Sequence, residues 1–229
     1  ANHNLSGKKD HLVLTEDLLL DLIDAAAKAP SGGNNQPWRW HYQSGLLHLF
    51  LEQSATQSYL DPQNISSYVS LGAAIENLLL AAANKNLTVN WELTPQHAPL
   101  HIAWFSFSAN HQASEQEKLL ESQINLRHTN RKITPKQELD KVVLDQLENV
   151  VNQTEQAKLT WVTDVDKLKT LGAISAHADL LRMFVDEAHT DFIQKEMRWN
   201  LDEVAKTETG IGIHTLDLSN NDQVGLQLI

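Results

Sequence analysis

Ala29-Pro30-Ser31-Gly32-Gly33-Asn34-Asn35-Gln36-Pro37-Trp38-Arg39-Trp40 decides the reading of this chain. On its N-terminal side, Thr15 can cap a helix with Glu16 and Asp17 in its first turn. Leu18, Leu19, Leu22, Ile23 and Ala26 then recur at helical spacing. Pro30 and the two glycines end that helix and open a loop. On the C-terminal side, Trp38 and Trp40 alternate with Arg39, as in a half-buried strand. Gly32 and Gly33 let the backbone approach a flat or anionic ligand. Ser31, Asn34 and Gln36 add donors and acceptors suited to the polar edge of a heterocycle. By composition alone, the same stretch reads as a turn before a strand.

Further along, Trp38–Tyr42 and Leu46–Leu51 form an expected hairpin around Gln43-Ser44-Gly45. A long helix is expected over Ser66–Asn86. Its middle, Leu71–Ala83, is almost wholly apolar or small and therefore buried on most sides. Strands are expected at Val89–Leu93 and Ile102–Phe107, and an amphipathic helix at Ser114–Leu126. Thr134-Pro135-Lys136-Gln137 carries a cap, a proline at the first helical position and a glutamine three residues after the cap, so a helix is expected from there to Val151. Leu159–Val162 is expected as a short strand. Thr163 is expected to cap a further helix, broken once before Trp199, with an irregular tail from Thr207. Helices interleaved with hairpins imply an α+β domain with an antiparallel-containing sheet flanked by helices.

Composition narrows the function. With 18 Lys and Arg against 29 Asp and Glu, the net charge is −11, which disfavours nucleic acid and anionic membrane surfaces as partners. The absence of cysteine removes thiolate nucleophiles, disulfides and cysteine-ligated metals. No apolar run reaches the ~20 residues of a membrane span, and Ala1–Asp10 lacks an apolar signal core. A cytoplasmic location is the default expectation. Eleven histidines include no His-Glu-x-x-His pattern, and His97 and His101 flank a proline, so no metal is expected. Gly-x-Ser-x-Gly and Gly-x-Gly-x-x-Gly are also absent. The apolar run Gly225-Leu226-Gln227-Leu228-Ile229 is unlike a polar, frayed domain end, and it suggests a chain that is C-terminally incomplete.

Two further stretches carry chemistry. Ser70-Leu71-Gly72-Ala73-Ala74-Ile75-Glu76-Asn77-Leu78 lies in the buried helix, where the small residues permit close helix packing. Arg127-His128-Thr129-Asn130-Arg131-Lys132 groups three cations and a hydroxyl, as an anion site or a solvated basic loop would.

Taken together, these stretches resemble the FMN-dependent nitroreductase family. Ala29–Trp38 is similar to its Ala-Pro-Ser-x-x-Asn-x-Gln-Pro-Trp signature, and Gly72–Ala83 to its Gly-Ala-Ala-x-x-Asn-Leu helix, which is central to the dimer in that family. Arg127–Arg131 is similar to its Arg-Arg-Ser-x-Arg segment, which holds the FMN phosphate and pyrimidine edge, with Thr129 in the serine position. The arginine segment follows the loop rather than preceding it. That order resembles the divergent Acg-like branch, in which two halves share one chain. Glu196-Met197-Arg198-Trp199 and Thr209-Gly210-Ile211 are also similar to that branch.

The resemblance implies a nitroreductase-like fold, with residues 1–111 as a first half and 112–229 as the start of a second. It implies FMN as cofactor, held by Arg127, Thr129 and Arg131 and by Pro30, Ser31, Asn34 and Gln36. It further implies NAD(P)H as reductant, a nitroaromatic or quinone as acceptor, ping-pong turnover and a homodimer. The flavin would carry the chemistry, so no side chain is named as catalytic. A flavin-sequestering module with little turnover is the alternative. Another is a structural domain of a longer protein, fused for instance to an adenylyltransferase-like domain.

Overall fold

The computed structural model describes residues 11–56, 58–94, 100–135 and 137–227. Ala1–Asp10, His97, Lys136 and the Leu228-Ile229 end, all weighed above, lie outside the described residues.

Helix α1 (Glu16–Ala27) is capped by the Thr15 side chain, which accepts from the Leu18 amide. Strands β1 (Trp38–Gln43) and β2 (Leu46–Leu51) form the expected hairpin, with Trp38 opposite Leu51 and Gln43 opposite Leu46. Helix α2 (Ile65–Asn84) leads into β3 (Leu87–Leu93), β4 (His101–Ala109) and α3 (Glu115–Ile124). The four strands make one antiparallel sheet in the order β1-β2-β4-β3. The fold is α+β, as the alternation of patterns implied.

Period-2 burial in β2 sends Leu47, Leu49 and Leu51 inward, where they meet Leu22 and Ala26 of α1 and Leu71, Ala74, Ile75 and Leu78 of α2. Phe105 and Phe107 of β4 complete this core. By length and hydropathy alone α2 could cross a bilayer, contrary to the sequence expectation. Here it is the central helix of the core, packed between α1 and α3. Gly72 does not serve close helix packing among the described residues, because a Cβ there would meet nothing within 4 Å. Asn77, on the same helix, donates to the Ala25 carbonyl and ties α2 to α1.

Beyond α3 the sequence expectations hold less well. Thr134-Pro135 does not begin a helix. Helix α4 (Lys141–Asn152) starts six residues later, capped by Asp140, whose carboxylate accepts from the Val142 amide. Leu159–Val162 is not a strand, since no edge lies beside it to supply ladder hydrogen bonds. Asp164, rather than Thr163, caps α5 (Val165–Phe184). The expected break follows at Val185, whose backbone is extended. After it come α6 (Asp186–Thr190), a π-helical turn (Asp191–Glu196), β5 (Met197–Arg198), α7 (Leu201–Lys206) and β6 (Ile211–Gly212). The strands β5 and β6 pair in parallel, so the tail is more regular than its composition suggested. Neither α4 nor α5 buries a described residue.

Candidate functional site

The Ser31–Gln36 loop is wound tightly. Ser31 Oγ accepts from the Gln36 amide at 3.0 Å, and the Asn34 and Asn35 amides reach back to the Ser31 and Gly32 carbonyls. Gly33, Asn34 and Gln36 have φ of 57°, 55° and 50°. Two non-glycine residues in the left-handed region, one of them next to a proline, hold strain that the surroundings must support.

That support comes from far along the chain. Asn34 Nδ2 donates to the carbonyls of Glu208 (3.0 Å) and Gly210 (3.2 Å), and the Gly210 amide donates back to Asn34. Gln36 Nε2 donates to the same Glu208 carbonyl at 2.5 Å. The amide donors of Asn34 and Gln36 are therefore committed to the chain's own 208–210 segment. Arg198 fixes that segment in turn: it donates to the Thr207 and Thr209 hydroxyls and to the Lys195 and Met197 carbonyls. Glu196–Trp199 and Thr209–Ile211, noted as separate motifs in the sequence, thus form one structural unit.

A cavity of about 640 Å³ lies beside the loop, its wall including Gly32, Gly33, Asn35, Arg182, Glu196 and Thr209. A Cβ on Gly32 would lie 2.7 Å from Ser66 Oγ, and one on Gly33 would lie 3.1 Å from Glu196 Cγ. Glycine at both positions lets these side chains come up against the loop. Arg182, near the end of α5, donates to Glu196 Oε2 at 2.6 Å and stacks over Phe192 at 4.3 Å. The two side chains are only 13% and 21% exposed. Arg182 Nε and Asn35 Oδ1 are buried without a hydrogen-bond partner. Such orphaned atoms are rare, and each costs about 1–3 kcal/mol.

The π-helical turn supplies this wall, in keeping with the frequent use of such turns at functional sites. Its first residue, Asp191, accepts from Lys195 at 2.5 Å and from the Tyr59 amide at 2.6 Å. Burial would raise its pKa, yet the Lys195 and Tyr59 hydrogen bonds and the nearby cations hold it below the usual carboxylate value. Asp61 behaves similarly. Burial opposes ionisation, but the Ser66 and Ser67 amides and the Ser67 hydroxyl lower its pKa. A wider opening of about 740 Å³ adjoins the cavity across Asp191 and Lys195. It is the larger of the two, but the glycine loop does not line it.

Among the arginine-segment residues, Arg127 Nη2 donates to the Lys28 carbonyl at 3.2 Å, three residues before Ser31. Thr129 is exposed and Arg131 half-buried. The segment is tied again downstream, where the Ile133 amide donates to Asp217. One chain thus brings Arg127 to the α1 end that leads into the Ser31 loop, while Arg127, Thr129 and Arg131 line neither cavity. Pro30 is exposed there, while Pro37 is fully buried under the start of β1. Sequence reasoning missed Arg182, Asp191 and Lys195, because no local signature marks them. Among the described residues no three His, Asp or Glu side chains form a metal-binding group.

No protein-family model matches the chain. It is 27% identical over 180 residues to Acg of Mycobacterium tuberculosis, a candidate NAD(P)H nitroreductase, a match covering 78% of this chain and 54% of Acg. The chain is thus similar to a protein described as a nitroreductase. It spans about half the length of these curated relatives. A match to an uncharacterized protein of the same organism, 28% identical over 203 residues, covers 88% of this chain but 27% of that protein. Among solved structures, a nitroreductase of Desulfovibrio desulfuricans in complex with FMN shares 20% identity and a TM-score of 0.36, over 45% of this chain and 77% of that one. A nitroreductase family protein of Streptococcus pneumoniae shares 13% identity and a TM-score of 0.34, over 59% and 90%.

Proposed function

We propose that this chain is an FMN-binding domain of a nitroreductase-type oxidoreductase. It would pass reducing equivalents from NAD(P)H, through the flavin, to a small organic acceptor such as a nitroaromatic or quinone. The observation that carries this reading is the meeting of Arg127 with the α1 end beside a strained, glycine-bearing loop. The residues suit the group in three ways. Gly32 and Gly33 line the cavity and leave room in its wall for Ser66 and Glu196. Arg182 Nε and Asn35 Oδ1 are polar atoms without partners. Arg127, Thr129 and Arg131 bear the chemistry of a phosphate site.

When bound, FMN supplies the hydride and electron chemistry. The protein's part is to place and shield it. Arg127, Thr129 and Arg131 hold the phosphate, Pro30 and Ser31 shape the loop, and Asn34 and Gln36 clamp the 208–210 segment beside the cavity. Reductant and acceptor would use that one site in turn, the arrangement that gives ping-pong kinetics. In the same proposal residues 1–111 form one half and 112–229 the start of a second, and two copies associate as a homodimer.

A flavin-sequestering module is the second reading. It is favoured by the commitment of the Asn34 and Gln36 donors to the chain itself, which closes one side of the loop. The long relative covered only 27% by its match supports a place within a multidomain protein.

The visible spectrum of the purified protein, with FMN added, tests these readings. Bands near ~450 nm that bleach with a reduced nicotinamide nucleotide support an enzyme, and bands that persist support sequestration. A protein that takes up no FMN refutes both. Arg127→Ala is expected to weaken FMN binding at least about tenfold, the loss of one charge-assisted contact. Unchanged affinity removes the phosphate assignment.

A further inference from the structure

We propose that Arg182 and Glu196 form a recognition pair for the imide edge of a flat heterocycle, the flavin ring in the reading above, on which this inference rests. An imide edge presents one N–H donor between two carbonyl acceptors. Its complement is a carboxylate flanked by donors. Glu196 presents such a carboxylate in the cavity wall, with its Oε2 held by Arg182 at 2.6 Å. Arg182 adds guanidinium N–H groups beside it, and its Nε is buried without a partner.

Three features fix the pair in place. Phe192 stacks under the guanidinium, limiting its rotation. Gly33 stands where any side chain would press on the Glu196 carboxylate, with Oε2 3.6 Å from the position of its Cβ. The π-helical turn carries both Phe192 and Glu196. A surface ion pair would need none of these. Here both charges are largely removed from water, where each hydrogen bond discriminates more sharply between ligands that do and do not complete it.

The nicotinamide carboxamide offers related chemistry, one N–H donor group and one carbonyl, so the test separates the two sources. Riboflavin, 3-methylriboflavin, FMN and nicotinamide mononucleotide are titrated against the full chain and its Glu196→Gln, Glu196→Ala and Arg182→Lys variants. Flavin fluorescence and calorimetry report affinity, and circular dichroism confirms that each variant is folded. Methylation at N3 deletes the imide donor. We expect wild type to bind 3-methylriboflavin at least about tenfold more weakly than riboflavin. That discrimination should disappear in Glu196→Ala and shrink in Glu196→Gln and Arg182→Lys. Arg127→Ala, a phosphate contact, should weaken FMN but not riboflavin.

If the penalty of methylation is the same in wild type and Glu196→Ala, the pair does not read the edge. If nicotinamide mononucleotide, rather than riboflavin, loses affinity in Glu196→Ala, the pair serves the carboxamide and the flavin assignment falls. If wild type binds neither flavin, the parent reading fails and this one with it.

Discussion

Replacing Gly33 by alanine probes the cavity wall through stability alone, without any ligand. Two costs add. The backbone at Gly33 is left-handed, φ 57° and ψ 12°, where a Cβ costs about 1–2 kcal/mol. The new methyl would also lie 3.1 Å from Glu196 Cγ and 3.3 Å from Cδ. Glu196 cannot swing away freely, because its carboxylate is held at 2.6 Å by a mostly buried Arg182. Stretching that charged hydrogen bond costs about 1–2 kcal/mol more, part of the roughly 1.5–3 kcal/mol such bonds contribute. The expected loss is about 2–4 kcal/mol, read as a lower urea midpoint at unchanged slope. Against a Glu196→Ala background, Gly33→Ala should cost only the backbone part, about 1–2 kcal/mol. Equal costs in the two backgrounds would refute the contact between loop and carboxylate. A wild-type cost below about 0.5 kcal/mol would refute the strained backbone as well.

Asp61→Ala should destabilise by about 1–2 kcal/mol, because Asp61 accepts from the first amides of α2 while Asn64, the formal cap, makes no side-chain bond; urea unfolding measures it, and a neutral result would contradict the capping role. His48 has its pKa lowered by burial and then by His101, whose ring nitrogen is 3.1 Å away, and by His41. With Arg39 stacked on the neighbouring Phe50, nothing named here favours its charged form. The unfolded chain therefore takes up that proton first, and stability should fall as pH drops through about 6.5 towards the lowered folded value. His48→Gln should flatten stability against pH in that window; an unaltered slope would overturn the assignment. Asp191 and Asp61 have lowered pKa values, so their contributions are complete above about 3.9 and fade only below it. Lys85→Ala breaks an exposed 2.6 Å pair with Asp21 and should change stability by less than about 1 kcal/mol; a larger loss would indicate packing by the lysine stem.

Local rules carried the reading wherever the relevant partner lies nearby in sequence. The alternation of Trp38, Trp40 and Tyr42 and the Ser44-Gly45 turn define a hairpin that buries those rings against the core. The apolar run of α2 identifies the central helix. Thr134-Pro135 shows the limit of such rules: its signature is sound, yet Asp140 caps the helix that forms, ahead of Val142 and Val143. Leu159–Val162 had strand-like residues but no neighbouring edge, and a ladder needs two strands. At the site, the glycines and Ser31 were legible because their conformational demands are local. Arg182 and Glu196 were not legible as a pair. Their roles depend on a chain return that brings residues about 150 positions apart against one loop.

That return has a consequence for how the protein is made. The Glu208 and Gly210 carbonyls that brace Asn34 lie 174 and 176 residues beyond it. Among the described residues, the apolar core of α1, α2 and the sheet includes nothing past α3, so during synthesis it can condense while later residues are still being joined. The loop keeps its strained shape only once residue 210 has left the ribosome, which makes closure of the cavity a late event in biogenesis. A nascent chain halted before residue 208 would carry a finished core and an unbraced loop.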